Sequence, residues 1–266
     1  MKGLILAAGM GTRLLPLTLA RPKCLVEAAG RPMMEYQLDS LRRADITECT
    51  IVVGYMADAV RNYFGSEYRG IRLSYVENTV YATTNNLYSL WLARRKFDDD
   101  IILLESDLVF DNRLLCELLK MDEPNVAVVD HFRPAMDGSL ILAEGGVAKR
   151  MVLKSDQSSG FDYSRALKTV NIYRLSEETL VETIVPKMSE FLQEGRSDLY
   201  YEAVFASLID SGRMSMAVMN TRNRKWTEID TFEDLLDAEQ MFAASPVTYQ
   251  GKLARFKCAT GIHQET

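Results

Sequence analysis

The first 23 residues constrain the fold of this chain more than any other stretch. An apolar run over residues 3–8 predicts a buried strand that leads directly into a glycine loop. Gly9 and Gly11 are expected to allow backbone turns that a Cβ would block, and to let successive N–H groups point at one anion. Arg13 and Lys23 add positive charge beside the loop. The stretch therefore predicts a binding site for a nucleoside triphosphate.

Two common glycine motifs do not describe this loop. The dinucleotide-binding pattern G-x-G-x-x-G needs a third glycine, where this chain has Leu14. The pattern G-x-x-x-x-G-K-[ST] of phosphate loops does not occur in the sequence. On its own, the G-x-G is equally compatible with a tight turn between a strand and a helix.

The first half of the chain alternates strand and helix patterns. Predicted strands are 50–55, 71–76 and 101–104, and predicted helices are 33–43, 56–64 and 87–95. Such alternation is typical of an α/β fold, here a Rossmann-like mixed, mainly parallel sheet flanked by helices, whose ligands bind where the strands end. Gly9, Gly54 and Asp107 all lie at predicted strand ends.

The second half begins with strands that follow one another without helices. We expect a small β-rich, acceptor-binding insertion at about 125–175, then helices at 181–194 and 200–211, a short strand at 214–218 and a last helix at 231–243. Residues 1–243 are thus predicted to form one domain. Residues 244–266 are expected to be a tail or a linker, with a fused or partner domain possible after residue 245.

Two aspartates lie at the junctions of predicted elements. Asp107 follows an apolar strand, and Asp230 lies between a strand-like stretch and the start of a helix. Such a pair suits Mg²⁺, which binds few protein carboxylates and leaves its other positions to water and phosphate oxygens. Either residue could instead cap a helix, although Asp111 is the better candidate for the helix near residue 112.

The composition excludes several classes of protein. The net charge of −6 and the pI near 5.2 argue against a nucleic-acid partner, which normally meets a basic face. No stretch reaches the ~20 apolar residues of a membrane span. The four cysteines lack the spacing of a zinc site, and we expect a reduced, cytoplasmic protein.

The string G-L-I-L-A-A-G-M-G-T-R-L-x-P-L-T, followed by R-P-K, resembles the signature of the sugar-phosphate nucleotidyltransferase (pyrophosphorylase) family. In that family the glycine loop wraps the triphosphate, and the arginine and lysine contact its phosphates. The resemblance implies these roles for Arg13 and Lys23, and a metal pair at Asp107 and Asp230.

A second string resembles one branch of that family. Residues 83–91, T-T-N-N-L-Y-S-L-W, are similar to a segment of the cytidylyltransferases that act on phosphocholine or aminoethylphosphonate, where it borders the base. An asparagine there could simply cap the next helix. Glu105-Ser106 before the aspartate departs from the usual small residues, and Thr227 stands where an aromatic is common. Both departures concern the choice of substrate.

The resemblance implies three further sets of site residues. Lys168 would join Arg13 and Lys23 as a catalytic residue by holding the phosphate or phosphonate of the acceptor. The nucleotide would contact Ala7, Ala8, Gly9, Gly11, Thr12, Thr84, Asn85, Asn86 and Ser106. A cation site for the acceptor would draw on Asp130, Asp137, Tyr173, Glu202, Trp226 and Glu228. The carboxylates could equally be partners of Arg133, Lys154 or Arg174.

The expected activity is transfer of CMP from CTP to a small phosphonate or phosphate acceptor, with Mg²⁺ as cofactor and release of pyrophosphate. One alternative is a nucleotidyltransferase for hexose 1-phosphate or inositol 1-phosphate. A regulatory subunit that binds nucleotide without turnover is the non-enzymatic alternative. Retention of Lys23, Asp107 and Asp230 favours the enzyme.

Overall fold

The computed structural model of the protein describes residues 1–134 and 136–243. The tail or linker predicted at 244–266 lies outside the described residues. No helix in the described part is long and apolar enough to cross a membrane.

The strands follow one another in chain order as β1 (Lys2–Ala7), β2 (Glu27–Ala28), β3 (Arg31–Pro32), β4 (Glu48–Val53), β5 (Glu67–Tyr68), β6 (Ile71–Glu77), β7 (Ile101–Glu105), β8 (Leu108–Phe110), β9 (Val126–His131), β10 (Leu140–Glu144), β11 (Val147–Val152), β12 (Leu167–Leu175), β13 (Ala217–Asn220) and β14 (Trp226–Glu228). The helices are α1 (Met33–Arg43), α2 (Ala57–Phe64), α3 (Asn86–Ala93), α4 (Arg113–Leu118), α5 (Glu177–Thr179), α6 (Val185–Gln193), α7 (Glu202–Asp210) and α8 (Phe232–Phe242). A π-helical segment, Leu180–Ile184, joins α5 to α6.

Among the described residues, ten strands form one sheet in the order β10-β11-β13-β9-β12-β7-β1-β4-β6-β5. The strands β7, β1, β4 and β6 are parallel neighbours, whereas β12 runs antiparallel to both β7 and β9. The predicted mixed α/β class is confirmed. The four adjacent parallel strands all come from the first half of the chain, and β13 pairs in parallel with β9 in the other part of the sheet. The strands of the β-rich segment, β9 to β12, continue this sheet.

Strand β1 lies at the centre because both of its faces are apolar. Ile5 packs in the cluster that includes Met34 and Leu38 of α1. Leu4 and Leu6 pack on the opposite face, in the cluster that contains residues of α3 and α6. A parallel strand covered by helices on both sides reads as a continuous apolar run. This packing fixes the glycine loop at the carboxyl edge of the sheet.

Candidate active site

A cavity of about 810 Å³ opens at the carboxyl ends of β1, β6 and β7. It brings together most of the residues predicted from the sequence, namely Ala8, Gly9, Gly11, Thr12, Arg13, Lys23, Thr84, Asn85, Asn86, Ser106, Asp107, Asp137, Lys168, Glu202, Glu228 and Asp230.

The two loop glycines differ in what they require. Gly11 has a φ of +63°, and a Cβ there would lie 2.9 Å from Cβ of Lys23. Gly11 therefore needs to be glycine both for its backbone and for the approach of Lys23. At Gly9 a Cβ would meet no atom within 4 Å, and φ is not positive. The expectation that the turn itself requires Gly9 is wrong, and its missing side chain leaves open space in the cavity.

Lys23 joins the two predicted metal ligands. Its Nζ donates to Oδ2 of Asp107 at 2.7 Å and to Oδ1 of Asp230 at 2.6 Å. Arg13 also contacts Oδ1 of Asp230, at 2.8 Å. Burial opposes the charge on Lys23, but the two carboxylates outweigh it and raise the pKa of the ammonium. Lys23 is thus a permanent cation at the loop.

The aspartates are not helix caps. Thr231 is the N-cap of α8 and forms a reciprocal capping box with Asp234, so Asp230 is not used there. Near α4, the carboxylate of Asp111 accepts a hydrogen bond from the N–H of Arg113. Asp111, and not Asp107, therefore interacts with the start of this helix. Oδ1 of Asp107 is buried and has no hydrogen-bond partner among residues 1–134 and 136–243.

These features fit a cation that takes only part of its ligands from protein. No group of three or more His, Cys, Asp and Glu side chains suited to a metal occurs within the described ranges. Asp107 and Asp230 alone match the donor set of Mg²⁺ bound together with phosphate oxygens, because that ion keeps few protein ligands. The unpaired Oδ1 of Asp107 supplies an oxygen for it.

The polar segment before α3 is largely occupied by internal hydrogen bonds. Oγ1 of Thr84 donates to the carbonyl of Val80 and accepts from Asn78. The Asn86 amide donates to Glu105 and accepts the N–H of Tyr201. The side-chain oxygen of Asn85 caps α3, as the alternative for one asparagine anticipated.

The Nδ2 group of Asn85, by contrast, makes no hydrogen bond to the described residues, and Asn85 lines the cavity. Both N–H groups of the Asn85 amide are therefore available to a base.

A second charged part of the cavity is centred on a buried lysine, and we call it the acceptor end. The Lys168 side chain is 1% exposed. Its Nζ donates to the carbonyl of Thr169 at 2.7 Å and to Oε1 of Glu228 at 3.1 Å. Asn171 donates to the same Glu228 oxygen at 2.7 Å. Burial raises the pKa of Glu228 to about 7, although the charge of Lys168 opposes this.

Two more carboxylates lie at this end. Glu105 accepts hydrogen bonds from Tyr201 and Asn86, and burial, with the nearby charge of Glu202, raises its pKa. Burial also raises the pKa of Glu202 to about 7, and its Oε2 is buried without a partner. Three acidic groups thus share this end with Lys168.

Four predicted contact residues do not line the cavity, and these assignments are corrected. Ala7 belongs to the core on one face of β1. Tyr173 is fully buried against Tyr201 and Phe205. Trp226 is buried, and its Nε1 donates a hydrogen bond to Asp130 at 2.8 Å. These two side chains therefore bind each other, and Asp130 is the fourth of the corrected residues.

Two of the carboxylates predicted to bind the acceptor instead form ion pairs with basic side chains, as the alternative interpretation anticipated. Asp130 lies 3.3 Å from Arg133, and Asp137 lies 2.5 Å from Lys154. Asp137 nevertheless lines the cavity, and its side chain is 65% exposed.

Glu105 and Asn171 are among the cavity residues that were not predicted as site residues from the sequence. Glu105 was noted only as an unusual residue before the aspartate, although a carboxylate that ends an apolar strand is itself a signal. Asn171 gave no signal, because its role depends on a bulge in β12.

A glycine loop at the end of a parallel strand, with two cations and an aspartate pair, has the parts of an enzyme that positions and neutralises phosphate groups. Residues 2–129 match the model of the family described as nucleotidyl transferase. Residues 2–129, nearly half of the chain, therefore belong to this nucleotidyl transferase family.

Known relatives extend the likeness beyond the family model. The chain is 33% identical over 243 residues to CMP-5'-(3-aminopropyl)phosphonate synthase of Streptomyces rubellomurinus, a match covering 91% of this chain and 39% of that protein. It is 28% identical to choline-phosphate cytidylyltransferase of Streptococcus pneumoniae, covering 91% of this chain and 98% of that protein. The chain therefore spans well under half of the first relative and nearly all of the second.

A solved structure has the same fold. The CTP:phosphocholine cytidylyltransferase of Streptococcus pneumoniae superposes with a TM-score of 0.72 and 25% identity, over 90% of this chain and 97% of that one.

Proposed function

We propose that this chain transfers CMP from CTP to a small phosphonate or phosphate acceptor that carries an ammonium group, with release of pyrophosphate. The observation that carries the proposal is the division of charge in the cavity. Lys23 and Arg13 lie at the glycine loop with Asp107 and Asp230, whereas Lys168 pairs with Glu228, and Glu105 and Glu202 line the same cavity.

The nucleotide end suits a triphosphate. Backbone N–H groups of the loop, with Arg13 and Lys23, offer positive potential to the phosphates. Mg²⁺ held by Asp107 and Asp230 would supply further neutralisation of phosphate charge when bound. The aspartates also keep Lys23 charged and beside the loop.

No protein nucleophile is required. An anionic oxygen of the acceptor attacks the α-phosphorus in line, a new P–O bond forms, and the bond to the β-phosphate oxygen breaks to release pyrophosphate. The protein contributes by holding the two anions together and neutralising their repulsion. Lys23 and Arg13 serve the triphosphate, and Lys168, with one N–H not used by Thr169 or Glu228, serves the acceptor anion.

CTP is proposed as the donor on two grounds. Asn85 offers amide N–H groups to a base, and cytosine carries carbonyl and ring-nitrogen acceptors on its pairing edge. The names of the relatives also specify CTP or CMP chemistry. A polar group left unpaired by the wrong base costs about 1–3 kcal/mol, which predicts at least about tenfold preference for CTP.

An ammonium-bearing acceptor follows from the excess of acid at the acceptor end. One lysine lies with the buried Glu202 and the half-buried Glu105 and Glu228 there, and a cationic group would favour their charged forms against the burial that raises their pKa. The acceptors named for the two relatives, an aminopropylphosphonate and a choline phosphate, each combine an anion with a nitrogen cation. A sugar 1-phosphate has hydroxyl groups but no cationic group to pair with this acid.

The test is a pyrophosphate-release assay of four nucleoside triphosphates against matched acceptors. We expect turnover with CTP and 2-aminoethylphosphonate, 3-aminopropylphosphonate or phosphocholine to exceed that with glucose 1-phosphate or inositol 1-phosphate by at least about tenfold. Faster turnover of a sugar or inositol phosphate would establish the alternative acceptor class. Absence of turnover with every pair, while CTP still binds, would favour the regulatory subunit.

A further inference from the structure

We propose that Asn171 is a positioning residue that orients the Glu228 carboxylate toward the ammonium group of the acceptor. The inference rests on the proposed function and adds to it a residue that sets the preference for a charged amine.

The backbone of β12 places Asn171 for this role. Its pairing with β9 shifts in register between Thr169 and Tyr173. Within that irregular stretch Asn171 has a φ of +58°, in the left-handed region that asparagine tolerates better than most residues. A bulge of this kind redirects a side chain and is frequent beside active sites. Here it places Asn171 on the cavity wall.

The hydrogen bonds of Asn171 define its orientation. Nδ2 donates to Oε1 of Glu228 at 2.7 Å. Oδ1 lies 3.0 Å from Oγ1 of Thr169, a fully buried hydroxyl whose one hydrogen is shared between Asn171 and the carbonyl of Ser139, also at 3.0 Å. A hydroxyl donor on one side and a carboxylate on the other fix which way the amide faces, because only its NH₂ can donate to Glu228.

Both donors to Glu228 use the same oxygen. Lys168 Nζ lies 3.1 Å from Oε1, the atom that also accepts from Asn171. Oε2 accepts no hydrogen bond from the described residues, and Glu228 lines the cavity. Two donors on one oxygen restrict rotation of the carboxylate, whose terminal torsion is otherwise broad. Oε2 is thereby kept for a ligand.

The chemistry at Oε2 selects a cation. A carboxylate oxygen accepts strong, charge-assisted hydrogen bonds from an ammonium and weaker ones from a hydroxyl. Without Asn171, the carboxylate can turn so that Lys168 binds both oxygens and neutralises the group. The expected consequence is a loss of preference for the amine, with the phosphate chemistry unchanged.

The experiment compares wild type with Asn171→Gly and Asn171→Asp on two acceptors, 2-aminoethylphosphonate and 2-hydroxyethylphosphonate, with CTP. Glycine retains the positive φ and removes the amide, whereas aspartate retains the shape and replaces the donor with a charge. Asn125→Gly is the matched control: Asn125 is buried and bonded to Thr179 and Ser176, away from the cavity.

We expect Asn171→Gly to raise KM for the amine by at least about tenfold while kcat and KM for CTP stay within about threefold. Its preference for amine over hydroxyl should fall toward one. Asn171→Asp adds a negative charge that attracts the ammonium group, so it should keep more of this preference than Asn171→Gly, and an equal loss in both variants would contradict selection of a cation by charge. Asn125→Gly should lower Tm and leave that preference intact. Wild-type turnover with an unchanged preference in Asn171→Gly overturns the positioning role alone. Absence of wild-type turnover with these two acceptors, and also with 3-aminopropylphosphonate and phosphocholine, overturns the proposed function and this inference with it.

Discussion

The two ends of the cavity handle charge in different ways. At the glycine loop, the positive groups are backbone N–H groups and two side chains, and the Arg13 side chain is 61% exposed. At the acceptor end, Lys168 is 1% exposed and Glu202 is buried, whereas Glu105 and Glu228 are half-buried. The loop depends on a local backbone turn, whereas the acceptor end is assembled from β7, α7, β12 and β14. A local turn leaves a motif in the sequence, and an assembly of separated residues does not.

The largest effect is expected at the junction of the two ends. Asp107→Asn removes one of two carboxylates that hold Lys23, and it removes the proposed metal ligand. We expect turnover to fall by about 10³-fold, the scale on which preorganised charge acts in catalysis. Asp111→Asn is the matched control, because that carboxylate pairs with Arg113 outside the cavity. Equal loss in both variants would show a folding defect.

A smaller effect, confined to the acceptor, is expected from Glu228→Gln. The amide removes the charge that an ammonium group would meet, and hydrogen bonds to charged groups are worth about 1.5–3 kcal/mol. We expect KM for 2-aminoethylphosphonate to rise about 10- to 100-fold, with KM for CTP nearly unchanged. Steady-state kinetics with each substrate varied in turn measures this. A parallel rise in KM for CTP would mean that the two ends do not act separately.

The buried acid at Glu202 is expected to cost stability. Its pKa is about 7 in the folded chain, against an ordinary value of 4.5. The native state binds this proton more tightly than the unfolded state, so the stabilisation is complete below the ordinary value and is lost as pH rises through about 7.

Glu202→Gln removes that dependence. At pH near 8 we expect the variant to be more stable than wild type by about 1–3 kcal/mol, and the difference should shrink near pH 5. Urea unfolding at both values provides the measurement. An equal difference at the two pH values would assign the effect to packing instead of charge.

The smallest effect is expected at the rim. Asp137 and Lys154 form an exposed ion pair, with side chains 65% and 63% exposed, and such pairs contribute less than about 1 kcal/mol. Asp137→Ala should raise KM for the amine-bearing acceptor about two- to fivefold without changing that for CTP. High salt should reduce the difference, because it screens exposed charges. An effect as large as that of Glu228→Gln would place the cation site at the rim.

Much of the fold could be predicted from periodicity. The helix predicted at 33–43 has the observed bounds of α1, and the strand predicted at 101–104 ends one residue before β7 does. These elements have one apolar face or are apolar throughout, so burial follows the pattern directly. The strand predicted at 50–55 instead runs over Glu48–Val53. Gly54 lies beyond it, where a Cβ would come within 2.7 Å of the Ala8 carbonyl.

The acceptor end could not be predicted to the same depth. Resemblance of a segment to the family does not show which face of its strand an aromatic residue occupies. Tyr173 and Trp226 were therefore assigned to a pocket, although both are buried in the core. The role of Asn171 depends on a register shift that no local pattern encodes. Pairing of Asp130 with Trp226 required two elements to meet.

One side chain of α1 reaches the turn that carries Asp107. Gln37 is fully buried, and its Nε2 donates to the carbonyls of Glu105 at 2.9 Å and Leu108 at 3.0 Å, on either side of the turn. The turn is therefore clamped to the helix at both ends. The segment that carries Asp230 is fastened to the same turn, because the N–H of Ile229 donates to the carbonyl of Asp107 at 3.0 Å and β14 pairs with β8. Lys23, by contrast, reaches Asp107 and Asp230 through its flexible side chain alone.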